Sequence, residues 1–190
     1  MTLSKGAVIG LVILAVVLIV VLAFALWAIG SYNGMVNENE KIDSQWAQVT
    51  NQYQRKIDLI PTLVATVSQY QQFEAGTLTN ITALRSRWMN ATSAEDQVNA
   101  TNELDRQLVS IQVTYEAYPD LHSIEALSNL MYELAGTENR ITVERMRYNE
   151  AVKDYNAHIK RFPASMVAGW GDFEERSYYV SPNAPAAPGS

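Results

Sequence analysis

Hydrophobic positions along the chain change from an unbroken run to a seven-residue repeat, and that change defines its organisation. Ala7 to Ile29 reads AVIGLVILAVVLIVVLAFALWAI, without a charge. As a helix rising 1.5 Å per residue this run extends roughly 35 Å, enough to cross a bilayer core of about 30 Å. Trp27 and Tyr32 stand at its far end, where aromatic belts lie. From Tyr32 onward the apolar spacing is helical. One series runs Tyr32, Asn39, Trp46, Tyr53, Ile60, Val67, Glu74, Ile81 and Trp88. Its companion runs Met35, Ile42, Val49, Lys56, Leu63, Tyr70, Thr77 and Leu84. Together they form an a/d seam. Pro61 removes a hydrogen bond and disfavours helical geometry in the residue before it. Either a long helix kinks near Ile60 or it breaks there; the preserved register favours the kink.

Thr92-Ser-Ala-Glu95 fits a capping box, which starts the next helix at about Ser93 and carries it to Glu116. Its seam is Thr101, Leu104, Leu108, Ile111 and Tyr115. Tyr118-Pro119-Asp120 ends it and opens another, with Asp120 or Ser123 as the N-cap. In this last helix Leu127, Leu134, Ile141, Tyr148, Tyr155 and Phe162 repeat every seven residues, accompanied by Ile124, Met131, Glu138, Arg145, Val152 and Ile159. That pattern predicts about 60 Å of helix. Phe162-Pro163 stops it. Gly169 and Gly171 flank Trp170, which argues against regular helix there. No alternating run suggests a strand. The class is therefore all-α: a single N-terminal transmembrane helix followed by a long antiparallel bundle of four-helix type. The expected divisions are a flank at 1–6, the membrane helix at 7–29, the bundle at 31–173 and a Pro-rich, disordered tail at 174–190.

Composition narrows this further. The 190 residues include no cysteine and carry a formal net charge of -6. The first excludes disulfides, thiolate metal sites and thiol nucleophiles. The second argues against a nucleic-acid partner, which needs a basic surface. The apolar run is too long for a cleaved signal and lacks an A-x-A-like site, so it reads as an anchor. Lys5-Gly6 resembles the processing site of type IV pilin precursors, although Leu11 stands where those carry glutamate. Lys5 before the span, and Glu38 and Glu40 ahead of Lys41 after it, favour a cytoplasmic N-terminus and an extracytoplasmic domain. Asn80, Asn90 and Asn99 each begin an N-x-Thr triplet that matches the N-glycosylation pattern, which also arises by chance in a chain this rich in Asn and Thr.

The candidate chemistry lies in the seam charges. Lys56 and Glu74 interrupt the first seam; Glu138 and Arg145 interrupt the last, and Arg55, Asp58, Arg140 and Arg147 lie close by in sequence. An unpaired charge inside a bundle costs several kcal/mol, which opposite signs on facing helices offset. The expectation is a structural polar network of Arg55, Lys56, Asp58, Glu74, Glu138, Arg140 and Arg145 that fixes helix register, as polar a-positions do in coiled coils. A solvent-facing, incomplete seam and a functional cleft are the alternatives. Tyr148 and Tyr155 should pack their rings and find one hydroxyl partner each. Asn149 and Asn156 either bond a neighbouring helix or face water. His122 and His158 lack metal-motif spacing, and no Glu-x-x-His, G-x-S-x-G, Walker A or G-x-G-x-x-G occurs. No catalytic residue, metal ligand or cofactor is expected.

Several motifs now stand in order: Tyr32-Asn33 after the apolar run, Arg55-Lys56-Ile-Asp58-Leu-Ile-Pro61-Thr-Leu63-Val64, Phe73-Glu74, Tyr118-Pro119-Asp120-Leu121, Glu133-Leu-Ala-Gly136-Thr137-Glu138-Asn139-Arg140-Ile141, Arg147-Tyr148-Asn149-Glu150-Ala151-Val152, Tyr155-Asn156 and Phe162-Pro163. From Tyr32 to about Phe173 the chain resembles the LemA family, most specifically from Gly136 to Asn156. Thr62 stands where that family usually has asparagine, and Trp88 to Val98 follows no family pattern. The resemblance implies one membrane helix, a helical bundle and a place in the cell envelope beside other envelope proteins. It implies no catalytic residue. Some family descriptions place the short N-terminus outside, opposite to the charge rule. The function expected is that of a non-enzymatic, membrane-anchored scaffold or interaction protein that assembles with itself. An envelope sensor binding a small ligand or metal in the polar seam is the alternative, and a pilin-like filament subunit a further one.

Overall fold

The computed structural model describes residues 5–180, apart from the side chains at 5, 7, 94 and 95. The chain folds as α1 (Lys5–Val67), α2 (Ala75–Met89), α3 (Ala94–Ala117), a 3-10 turn (Pro119–Ser123), α4 (Glu125–Lys160) and α5 (Ala164–Trp170). No strand occurs among the described residues, so the fold is all-α as the periodicity requires. Pro61 lies inside α1, which runs on to Val67. The chain reverses instead over the residues before Ala75, where Tyr70 N–H and Phe73 N–H donate to Val67 O and Tyr70 O. The seam drawn through Val67, Glu74 and Ile81 therefore crosses a real break.

Other local expectations shift as well. Ser93 rather than Thr92 caps α3: its hydroxyl accepts from Asp96 N–H at 3.1 Å and donates to the Asp96 carboxylate at 2.9 Å. The 3-10 turn precedes α4, and Ser123 Oγ donates back to Asp120 O at 2.6 Å within it. The stretch around Trp170 is helix despite Gly169. A mid-helix glycine costs about 1 kcal/mol, and burial of Ala164, Val167 and Ala168 in the apolar core outweighs that.

The described residues cluster into two compact units. One joins the described residues up to Gln45 with Tyr148–Tyr178; the other joins Trp46–Arg147 with the described residues from Tyr179 onward. In the first, Met35 and Ile42 of α1 pack with Val152, Tyr155 and Ile159 of α4 and with Ala164, Val167 and Ala168 of α5. Glu38 of α1 pairs with His158 of α4 and Lys56 with Glu138, so rising numbers on α1 meet falling numbers on α4 and the pair is antiparallel. In the second, Arg85 of α2 donates to Ile57 O of α1 at 3.3 Å, and Trp88 lines a crevice with Trp46, Thr50 and Thr101. Lys56 meets Asp105 of α3 and Glu138 of α4. These pairings give an up-down-up-down arrangement of four helices. The core positions of the seams, Val49, Ile60, Leu63, Ile81, Leu104, Ile111, Leu127 and Ile141, are buried.

Of the tail expected to be disordered, residues 174–180 are described, Glu174 and Ser177 being bonded to α4, and residues 181–190 lie outside the described ones. Tyr155 Oη donates to Glu174 O at 3.0 Å and Tyr148 Oη to Ser177 O at 3.1 Å. Buried Asn156 clamps Arg176 from both sides: its Nδ2 donates to Arg176 O at 2.8 Å and its Oδ1 accepts from Arg176 N at 2.9 Å. Arg176 in turn pairs with Asp43. Asn156 thus reaches an irregular segment, not a neighbouring helix. Side-chain amides complement an extended backbone well because they carry the same donor and acceptor. An Asn156→Ala substitution should cost about 1–3 kcal/mol and speed tryptic cleavage after Arg176 in the folded chain. Cleavage at the wild-type rate would show that the clamp does not hold the segment.

Candidate functional site

The charged residues that meet lie in the four-helix unit and are centred on Lys56. A helix seam with Val49 and Leu63 one heptad to either side places this lysine inward. Its Nζ donates to Asp105 Oδ1 at 2.5 Å and to Glu138 Oε2 at 2.6 Å. The side chains are 5% exposed for Lys56, 26% for Asp105 and 42% for Glu138, so the ammonium sits at the bottom and the carboxylates reach toward solvent. Burial disfavours the charge on Lys56, but the two adjacent carboxylates outweigh it and hold its pKa above the usual lysine value.

Arg145 completes the group in a different way. Its guanidinium lies 3.7 Å from Asp105 Oδ2 and 3.9 Å from Glu138 Oε1, at ion-pair range. Its Nε and Nη2 make no hydrogen bond among the described residues. Aromatic faces flank it instead: Cζ lies 4.5 Å from the Tyr179 ring centroid and 5.2 Å from that of Tyr53. Cation–π contacts of this kind contribute about 0.5–2 kcal/mol each. Burial lowers the Arg145 pKa and raises that of Tyr179. Tyr179 Oη donates to Asn102 Oδ1 at 3.2 Å and lies 3.4 Å from Tyr53 Oη. Two cations and two carboxylates from α1, α3 and α4 are thus compensated within one group, beside a cleft of about 390 Å³ lined in part by Leu108, Gln112, Met131 and Leu134.

Of the seven expected network residues, Lys56, Glu138 and Arg145 come together; Arg55, Asp58, Glu74 and Arg140 do not. Glu74 is exposed at the N-cap of α2, because the chain breaks before it. Asp58 is exposed and accepts from Gln54 Nε2 at 2.8 Å on its own helix. Arg55 and Arg140 line a separate surface hollow with Glu133 and Gly136. Each lies one or two positions round from a seam residue, enough to turn it to solvent. Asp105 was missed because it directly follows the seam residue Leu104; a lysine stem can reach such a flanking carboxylate. Tyr179 was missed because it fell in the segment read as disordered, although the aromatic pair Tyr178-Tyr179 ahead of the proline-rich run is a usable signal. Asn80, Asn90 and Asn99 are exposed; the Asn90 amide donates to Ser86 O at 2.8 Å, and Thr101 of the third triplet is buried.

Removing one partner from a buried pair costs about 3–5 kcal/mol, and exposed pairs contribute about 1 kcal/mol or less. Denaturant unfolding should therefore rank Lys56→Met as the most destabilising change, at about 3 kcal/mol, then Asp105→Asn, then Glu138→Gln at about 1 kcal/mol. Equal effects for all three would refute a network built around the lysine. The lysine's pKa is raised on folding, so its stabilisation is complete below 10.5, the ordinary value, and is lost as pH climbs from there to the higher folded value. As pH rises from neutrality, the gap in Tm between the wild type and Lys56→Met should stay constant up to that pH and narrow above it. A gap that narrows well below pH 10 would contradict this assignment.

Comparison with known proteins identifies the family. The family model described as "LemA family" matches residues 45–189. Magnetosome proteins MamQ 1 and MamQ 2 of Paramagnetospirillum magneticum are each 22% identical, over 93% of this chain and 74% of theirs. Protein LemA of Metamycoplasma hominis is 22% identical over 74% of this chain and 64% of its own. With the match taking in α2, α3, α4 and every member of the Lys56 group, the chain belongs to the LemA family.

Proposed function

We propose that this protein is a non-enzymatic, membrane-anchored helical scaffold of the cell envelope that assembles with copies of itself. The observation that carries the reading is α1 itself. Its first part bears a continuous exposed apolar surface from Val8 to Ile29, and the same helix runs without a break into the packed units. Such a helix suits a bilayer anchor and makes a stiff connection between lipid and domain. The charges at Lys56 are neutralised by one another, which favours a structural role for them over a reactive one. Self-assembly is supported by Tyr132, Val143 and Met146 of α4, all exposed. At 100° per residue they fall within about 60° of one another, a narrow apolar stripe suited to a partner helix. The charges flanking the span, Lys5 before it and Glu38 and Glu40 after it, favour an extracytoplasmic soluble part, with other envelope proteins as candidate partners.

The cleft of about 390 Å³ beside Lys56 and Arg145 favours a second reading, a sensor that binds a small ligand or metal through the polar seam. Mass measurement of the full chain in detergent separates the two. The scaffold reading expects an oligomer that Tyr132→Glu with Met146→Glu converts to monomer. A monomer whose Tm rises with a divalent metal or a small anion would replace it with the sensor reading. Protease added to intact cells should digest the soluble part; full protection in intact cells and digestion after lysis would reverse the orientation.

A further inference from the structure

We infer that α5 is a second, peripheral membrane contact: its outward face, with the preceding Phe162, lies in the interfacial layer of the bilayer that α1 crosses. This rests on the reading of α1 as an anchor. Helix α5 divides its side chains sharply. Ala164, Val167 and Ala168 are buried against the core, while Phe162, Met166 and Trp170 are 82%, 43% and 69% exposed. Met166 and Trp170 are four residues apart, the repeat that aligns residues on one side of a helix, and Phe162 is exposed in the turn that leads into α5. Exposing a phenylalanine, a methionine and a tryptophan together to water is unfavourable by their whole apolar area.

The place of α5 identifies what covers them. The cluster containing Ala164, Val167 and Ala168 also packs Ala28, a residue of the apolar run. Phe173, just past α5, meets Tyr32 edge-on at 5.2 Å between ring centroids. Gly171 allows that approach, since a Cβ there would lie 2.7 Å from Phe173 and 3.0 Å from Tyr32. Helix α5 is therefore held level with the end of the membrane span, where Trp27 and Tyr32 already mark the interface. Tryptophan and phenylalanine on a short amphipathic segment sit about 5–10 Å into the headgroup and acyl boundary. The exposed Arg161 beside Phe162 suits lipid phosphates. A second copy of the chain is a poorer occupant. Three side chains cover far less than the roughly 800 Å² per partner of a stable interface.

Because the chain has no cysteine, single nitroxide labels can be introduced without competing sites. The full chain would be reconstituted in phosphatidylcholine nanodiscs with labels at Ile19→Cys, Met166→Cys, Trp170→Cys and Lys153→Cys, all exposed positions that leave packing intact. Power saturation then compares collision with oxygen, which partitions into lipid, against collision with a water-soluble nickel chelate. Oxygen should dominate at positions 19, 166 and 170 and nickel at 153. Nickel dominance at 166 and 170 with oxygen dominance at 19 would overturn the contact of α5 while leaving the anchor intact. Protection from both agents at 166 and 170 would overturn it in favour of a protein partner. Nickel dominance at 19 would defeat the anchor reading and this inference with it.

Discussion

An ammonium group placed inside an apolar seam must be neutralised there, and the four-helix unit is organised around that requirement. Lys56 of α1 meets its carboxylates on two other helices, Asp105 of α3 and Glu138 of α4. Apolar seams such as Val49, Leu104 and Ile141 tolerate small slips in register, because one aliphatic contact resembles the next. A two-carboxylate cradle at hydrogen-bond distance does not: a slip of one turn on any helix would leave a buried charge without its partner. The polar group therefore selects among the alignments that apolar burial makes available, as polar seam positions do in coiled coils.

Arg145 shows a different balance. It is mostly buried, yet its nearest carboxylates stand at 3.7 and 3.9 Å, and aromatic rings take the place of hydrogen bonds to two of its nitrogens. A guanidinium is more weakly hydrated than an ammonium, so contact with ring faces is a tolerable substitute for water. The tail contributes one of those rings through Tyr179, while Asn156, Tyr155 and Tyr148 hold its earlier residues by backbone hydrogen bonds. A segment without helix or strand is thereby held to α4, several of its polar backbone groups being met by side chains.

The two units use similar helices for different ends. Beside the anchor, small residues of α5 pack inward and large apolar ones face outward. Around Lys56, charges compensate one another at the edge of a cleft. The first arrangement suits a lipid surface; the second maintains a helix alignment.

Much of this was legible in the chain alone. The uncharged run from Ala7 to Ile29, the all-α class, the long last helix and the inward position of Lys56 follow from hydrophobic length and period, which are properties of consecutive residues. The hydroxyl partners required by Tyr148 and Tyr155 were likewise foreseeable, because a buried phenol needs one. The helicity around Gly169 and the hydrogen bonds that tie residues 174–177 to α4 were not. Each is a local preference overruled by packing with residues distant in sequence. The same holds for the choice of Asp105 over Glu74 as the partner of Lys56. Sequence period determines which side chains face inward; only the tertiary arrangement, which sets the distances between helices far apart in the chain, determines which of those charges meet.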